Sequence, residues 1–228
     1  MSYYRRANQS GGTYFFTVVT YRRQLFLCDD DVRMALRGAI ERVRNRYDFQ
    51  IDAWVLLPDH LHCIWTLPDG DADFSTRWSR IKRHVTQYCA HRIARQDWMT
   101  RSKRIHREST IWQRRFWEHQ IRDEKDFRTH VDYIHYNPVK HGYVKRAVDW
   151  PHSSFHRYVK EGVYEMDWGI GHGDSISAGE PASPLGHIKR AHPTRLKAAS
   201  NQCRSDRGIS KESFQSRADV LSGIARSL

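Results

Sequence analysis

Residues 50 to 67 read QIDAWVLLPDHLHCIWTL. Two runs of β-branched, aromatic and leucine residues stand on either side of Pro58 and Asp59, a spacing that fits an antiparallel hairpin and little else. Side chains alternate along a strand, so His60 and His62 open the second strand on one shared face, about 7 Å apart at Cα. Two imidazoles so placed can hold a metal. A third group is needed to make a site, and the pair alone also suits ordinary surface or core histidines.

The other elements follow from hydrophobic period. TYFFTVVTY (13–21), entered from Gly11-Gly12, reads as a first strand. Val32, Leu36, Ile40, Val43 and Tyr47 recur at three and four residues and predict a helix from Asp30, with Asp29 to Asp31 supplying its cap and first-turn negative charge. Trp78, Ile81, Val85, Tyr88 and Cys89 form the stripe of a second helix that turns Arg80, Arg83 and Gln87 outward. RQDWMTRSKRIHREST (95–110) has little period and reads as a basic loop, and RRFWEHQIR (114–122) as a last strand. A helix over 123–137 carries the stripe Phe127, Val131, Ile134, and Pro138 is expected to end it. Ser153 or Ser154 starts one further short helix.

Strand, helix, hairpin, helix, strand, helix is the order of an α+β, ferredoxin-like antiparallel sheet with helices on one face. No internal repeat is visible. The expected division is a catalytic domain over 1–168 and a basic, disordered tail over 169–228, with a weak helix in its final residues.

Charge narrows the partner. The 228 residues carry a formal net charge of +12, and twelve Lys or Arg face only Asp97 and Glu108 between residues 77 and 115. Such a surface attracts a polyanion, with nucleic acid the first expectation and an anionic membrane the second. No apolar run approaches the roughly 20 residues of a spanning helix, and the first residues contain no signal-peptide core. The protein is therefore expected to be soluble and cytoplasmic, with no membrane partner. Cys28, Cys63, Cys89 and Cys203 show no paired or zinc-type spacing and read as plain thiols in a reducing compartment.

The third group for the histidines lies in DYIHYNP, where Tyr133 and Asn137 stand at i and i+4 on one helical face. A divalent ion held by two imidazoles and an amide oxygen keeps positions open for phosphate oxygens, and a deprotonated phenol can attack phosphorus to give a covalent protein–DNA ester. Tyr136 competes for this role through a Y-x-x-x-K spacing to Lys140. Pro138 counts against Tyr136, because it is expected to break the register between Tyr136 and Lys140.

The HLH strand followed about 70 residues later by a helical tyrosine with Asn four residues on resembles the HUH single-strand endonucleases with one catalytic tyrosine. YRRANQSGGTYFFTVVTYRR, AWVLLPDHLHCIWTLPDGDADFSTRWSRIKR, IWQRRFWEHQIRDEKDFRTHVDYIHYNPVKHGYV and DWPHSSFHRYV are similar to the REP-associated tyrosine transposases of bacteria. The resemblance covers residues 3 to about 168. It implies a Mg²⁺ or Mn²⁺ cofactor held by His60, His62 and Asn137, Tyr133 as nucleophile, and single-stranded REP hairpin DNA as substrate, in a protein that works as a monomer or homodimer. Arg5, Arg6, Arg80, Lys82, Arg83, Arg114, Arg115 and Lys140 are the candidate DNA-binding residues, each equally readable as part of a solvated charged face. Residues 91–110 and the tail are longer than the family pattern, and both are basic. The competing readings are a non-catalytic protein that coats or regulates hairpin DNA or RNA, and a replication or conjugation initiator, which would bring a helicase domain or a third histidine.

Overall fold

The computed structural model describes residues 9–170. Its sheet is built from β1 (Thr13–Val19), β2 (Gln50–Leu56), β3 (His60–Thr66) and β4 (Trp117–Gln120), in the order β2-β3-β1-β4, with every neighbouring pair antiparallel. The helices are α1 (Asp30–Arg44), α2 (Phe74–Ile93), the short α3 (Arg101–Ile105), α4 (Glu124–Lys140) and α5 (Phe155–Lys160). This is the expected α+β, ferredoxin-like arrangement, and the β2–β3 hairpin turns at Pro58 and Asp59 as the spacing requires.

Helices cover both faces of the sheet, not one. Tyr14, Phe16 and Val18 of β1 and Leu61, Cys63 and Trp65 of β3 pack under α1 and α2, whereas Phe15 and Ile64 pack with Val131, Tyr133 and Ile134 of α4. The strands show why: β1 places large aromatics on both faces, and β3, although His60 and His62 alternate with Leu61 and Cys63, is buried at every position but its last, so neither face is left to solvent. Trp65 and Trp78 stack at 4.1 Å with 15° between their planes and centre the first layer. A bulge between Ile51 and Ala53 puts Ile51 in the first core and Ala53 in the second.

Three local expectations change. Asp29 does precede α1, but its side chain makes no cap bond; it accepts from Arg92 (2.9 Å), which also grips Asp31 (2.7 Å) and so ties α1 to α2. Residues 96–105 are not all loop, since Gln96–Trp98 form a 3₁₀ turn and Thr100 caps α3 by accepting from the Lys103 N–H. Pro138 lies inside α4 and does not end it. So near a helix end a proline forgoes a single intrahelical bond, and the His141 N–H to Asn137 and Tyr143 N–H to Pro138 bonds (both 3.0 Å) close the last turn.

His135 points away from the sheet's histidines, shares a 2.8 Å hydrogen bond with Ser154 Oγ, and packs against Phe155, Tyr158 and Tyr164. Burial, with the nearby positive charge of Arg157 and His156, lowers its pKa to about 3. A histidine depressed in the folded state binds its proton more readily when unfolded, so its contribution is complete above pH 6.5 and is lost as pH falls toward 3. Stability should drop by about 1.4 kcal/mol per pH unit from this group below pH 6.5. Urea midpoints at pH 7 and pH 5 measure it, and His135→Gln should flatten the difference.

Candidate active site and nucleic-acid interface

β3 sends His60, His62 and Ile64 to the α4 face, and the two imidazole centroids stand 4.8 Å apart. Each ring is oriented from behind. His60 Nδ1–H donates to Asp59 Oδ1 at 2.6 Å, and His62 Nδ1 shares a 2.9 Å hydrogen bond with Thr17 Oγ1 across the β1–β3 register. Such partners on Nδ1 set the orientation of metal-ligating imidazoles. Burial opposes ionisation of Asp59, yet its hydrogen bond to His60 and the charges of His60 and Arg23 prevail and bring its pKa to about 2. His62 is shifted well below the usual histidine range, first by burial and then by His60, His141 and Lys140. It is a neutral imidazole at physiological pH, the form that can ligate a metal.

Tyr133 faces these histidines from α4, and Asn137 stands one turn further along the same helix. The Tyr133 ring is 5.3 Å from His62 and 6.0 Å from Phe15. Asn137 is fully buried, and neither its amide oxygen nor its nitrogen has a hydrogen-bond partner. Burying an amide unsatisfied costs roughly 1–3 kcal/mol, so an oxygen aimed at a cation is a physical account of its position. Because α4 runs on through Pro138, its last turn also reaches the site: Lys140 Nζ lies 4.6 Å from the Tyr133 ring centroid, and His141 stands 5.3 Å from His60. His141 was not singled out in the sequence. The spacing Asn137 to His141 at i+4 is the signal that could have found it, and the assumed break at Pro138 concealed it. Tyr136 points elsewhere, toward Trp168 at 6.4 Å, and Lys140 sits with Tyr133 instead.

The expected DNA-contacting residues divide. Arg83 and Arg115 are exposed. Arg80 is half-buried with its guanidinium 4.8 Å over Tyr47, and Lys82 donates to the Gln113 carbonyl at 3.1 Å. Arg114 is exposed but pairs with Glu108 at 3.2 Å. Arg80 and Lys82 thus help hold α2 to its neighbours and are less available than an outward-facing helix surface implied. Arg77, one of the twelve cations in the basic stretch, is buried against Asp71 Oδ2 and the Asp48 carbonyl, both at 2.6 Å. Arg5 and Arg6 lie outside the described residues, as does Cys203; Cys28, Cys63 and Cys89 are free thiols. The adjacent aromatics at the start of β4 separate, Phe116 just before the strand joining the α1/α2 core and Trp117 standing against Phe15 on the α4 face, at 5.6 Å.

Residues 9–137 match the family model described as "Transposase IS200 like". The chain belongs to this transposase family. A REP-associated tyrosine transposase of Escherichia coli (strain K12) is 49% identical over 180 residues, covering 79% of this chain and 98% of that protein. A putative REP-associated tyrosine transposase of Haemophilus influenzae (strain ATCC 51907 / DSM 11121 / KW20 / Rd) is 45% identical over 169 residues, covering 74% and 94%. These relatives place the chain among the REP-associated members. A solved structure of a REP-associated tyrosine transposase bound to a REP hairpin has the same fold, with a TM-score of 0.65 and 49% identity over 80% of this chain and 99% of that one. Among the described residues no helix is long and apolar enough to cross a membrane.

Beside this face the fold assembles a group that sequence spacing did not reveal. His119 of β4 and Asp126 and His130 of α4 have potential ligand atoms within 4.8 Å of one another and could hold a metal ion. In the structure Asp126 accepts from His119 Nε2 at 2.9 Å and lies 3.1 Å from His130 Nδ1, while the two rings stack at 4.6 Å, so the group clasps the start of α4 to the sheet edge. Asp126 and His130 at i and i+4 are a visible helical pair, but their partner on β4 is supplied only by the tertiary fold.

Proposed function

We propose that this transposase binds single-stranded hairpin DNA of the REP type and cleaves one strand through Tyr133, keeping the bond energy in a 5′-phosphotyrosine. The observation that carries the reading is the Tyr133 ring beside His62 in a pair of Nδ1-anchored imidazoles, with the buried, unsatisfied amide of Asn137 one helical turn on from Tyr133. His60 and His62, each through Nε2, and Asn137 through its oxygen would hold a divalent ion, Mg²⁺ or Mn²⁺. When bound, such an ion polarises the scissile phosphate and offsets the charge that develops on it.

The chain's own part is as follows. Asp59 and Thr17 keep the imidazoles turned toward α4. The Tyr133 hydroxyl gives up its proton, and its oxygen forms a bond to phosphorus as the bond to the 3′ oxygen breaks; that oxygen leaves with a proton as a free 3′-hydroxyl. Lys140, exposed and over the Tyr133 ring, lies where its ammonium favours the phenolate and the incoming phosphate. Attack by the 3′-hydroxyl on the phosphotyrosine reverses these bonds, so rejoining or transfer to another end uses the same groups. Trp117, across Thr17 from His62 in the sheet register and half-buried, is placed to stack an unpaired base.

The test is incubation of the protein with an end-labelled REP-type hairpin and Mn²⁺ or Mg²⁺, with and without chelator, followed by a denaturing gel. A metal-dependent covalent shift supports the reading. Tight hairpin binding with no adduct or cleavage in either metal, over several repeat sequences, gives the lead to a binding protein without catalysis. Thr17→Val, which removes the partner of His62 Nδ1, should raise the metal concentration needed for half-maximal adduct by about 10- to 100-fold.

A further inference from the structure

Residues 94–110, most of the 91–110 segment that is longer than the family pattern, are folded onto the turn that follows β1. Arg95 N–H donates to Thr110 Oγ1 and Gln24 Nε2 to the Thr110 carbonyl, both at 2.8 Å, which closes the segment at its base. Lys103 is buried with its Nζ 3.8 Å from the Tyr21 ring centroid and 3.1 Å from the Ser109 carbonyl, so this cation serves the fold. The arginines differ. Arg22, Arg101, Arg104 and Arg107 are exposed, and among the described residues none has an ion-pair partner. Arg22 holds its guanidinium 4.7 Å from the centroid of half-buried Trp98.

The backbone supports this surface in an uncommon way. Arg22, Arg23 and Arg107 have φ of 57°, 55° and 53°, a left-handed conformation that side-chain-bearing residues seldom adopt. The same turn adjoins the active site. Arg23 pairs with Asp59 Oδ2 at 3.2 Å, Thr20 Oγ1 donates to the Asp59 carbonyl at 3.0 Å, and Asp59 orients His60.

We infer that residues 94–110 and the Tyr21–Arg23 turn form a contact surface for the single-stranded DNA flanking the scissile phosphate, in which the Arg22–Trp98 pair stacks a base and Arg101, Arg104 and Arg107 neutralise phosphates. The inference rests on the hairpin-cleavage reading above. Its chemistry favours a nucleic acid strand over an acidic protein, because planar guanidinium on indole offers a face to any base, and the adjoining site is the one that takes a strand.

The experiment compares three probes on the full chain: a REP-type hairpin without overhang, the same hairpin with a ten-nucleotide oligo-dT extension on its 5′ or 3′ side, and oligo-dT alone containing 5-bromodeoxyuridine for cross-linking. The wild type should bind one extended hairpin about tenfold more tightly than the bare one. Trp98→Ala and the triple variant Arg101→Ala, Arg104→Ala, Arg107→Ala should lose that gain while binding the bare hairpin within twofold of wild type, and Trp98→Phe should keep it. For the extended probe the triple variant should also reduce the slope of log K against log salt by about 2. Equal binding of bare and extended hairpins by the wild type overturns the inference, as does a triple variant that weakens both probes equally. The triple substitution changes exposed side chains only, so it remains informative if Trp98→Ala fails to fold by circular dichroism. Failure of every hairpin to bind would count against the cleavage reading, whereas a cross-link of oligo-dT to residues 95–107 reports on this surface by itself. Binding of an acidic protein but no cross-link would assign the surface to a protein partner and overturn the inference.

Discussion

Tyr133→Phe is expected to lose the covalent protein–DNA adduct, a fall of at least about 10⁴-fold in its rate of formation, with hairpin affinity kept within a few-fold. Removing one hydroxyl from a ring that packs against His62 and Phe15 leaves the fold in place, because the ring's contacts remain. Tyr136→Phe is the informative control. Its ring is turned to Trp168, away from the histidines, so the adduct should form at close to the wild-type rate. An adduct that survives Tyr133→Phe and vanishes in Tyr136→Phe would move the nucleophile to Tyr136 and would require α4 to rotate from the orientation described. Denaturing gels of the two variants side by side, with the non-denaturing hairpin shift as a check on binding, give the answer.

The largest expected effect on stability is at Trp78. Its indole stacks on Trp65 at 4.1 Å, meets Phe16 edge-on at 5.7 Å, and is 1% exposed. Truncation to alanine removes a large apolar surface and leaves a cavity between α2 and the sheet that the paired strands beneath cannot collapse to fill. Trp78→Ala should cost about 3–5 kcal/mol. In a domain of this size that lowers the melting temperature by about 6–20 °C. Because α2 packs on the face opposite α4, the protein that remains folded should still form the adduct. Thermal melting and adduct yield at low temperature therefore separate the stabilising layer from the reacting one, and a loss of adduct in fully folded protein would contradict that separation.

The β2–β3 hairpin, the starts of α1 and α5 and the existence of α2 were legible because each rests on local chemistry: period two or 3.6 in the apolar residues, a cap residue, and a two-residue turn at Pro58 and Asp59. The HLH pair was legible for the same reason, since alternation alone puts His60 and His62 on one face. The expectation that Pro138 ends α4 went wrong where a local rule was applied without its context. A proline in the last turn gives up one bond, and here later N–H groups close the end, so Lys140 and His141 are carried on to the site. The outward reading of Arg80 was incomplete because helical period gives a residue's angle around the axis and not what neighbouring segments bring to it; Tyr47 reaches Arg80, as the Gln113 carbonyl reaches Lys82.

By itself, the sequence determined the class of fold, the order of its main elements, the shared face of the two histidines and the net charge of +12, and it offered Tyr133 and Tyr136 as candidates for a nucleophile. The tertiary structure decided which tyrosine faces the histidines, that Thr17 and Asp59 orient them, that Asn137 is buried without a partner, and that the basic segment folds against the turn beside the site. The division has one physical cause. Periodicity and turn chemistry act within a few residues along the chain, whereas apart from the neighbouring Asp59–His60 pair these contacts join distant residues, as Thr17 with His62 and His62 with Tyr133, and only the packing of α4 on the sheet and of the 94–110 segment on the turn after β1 brings them within reach.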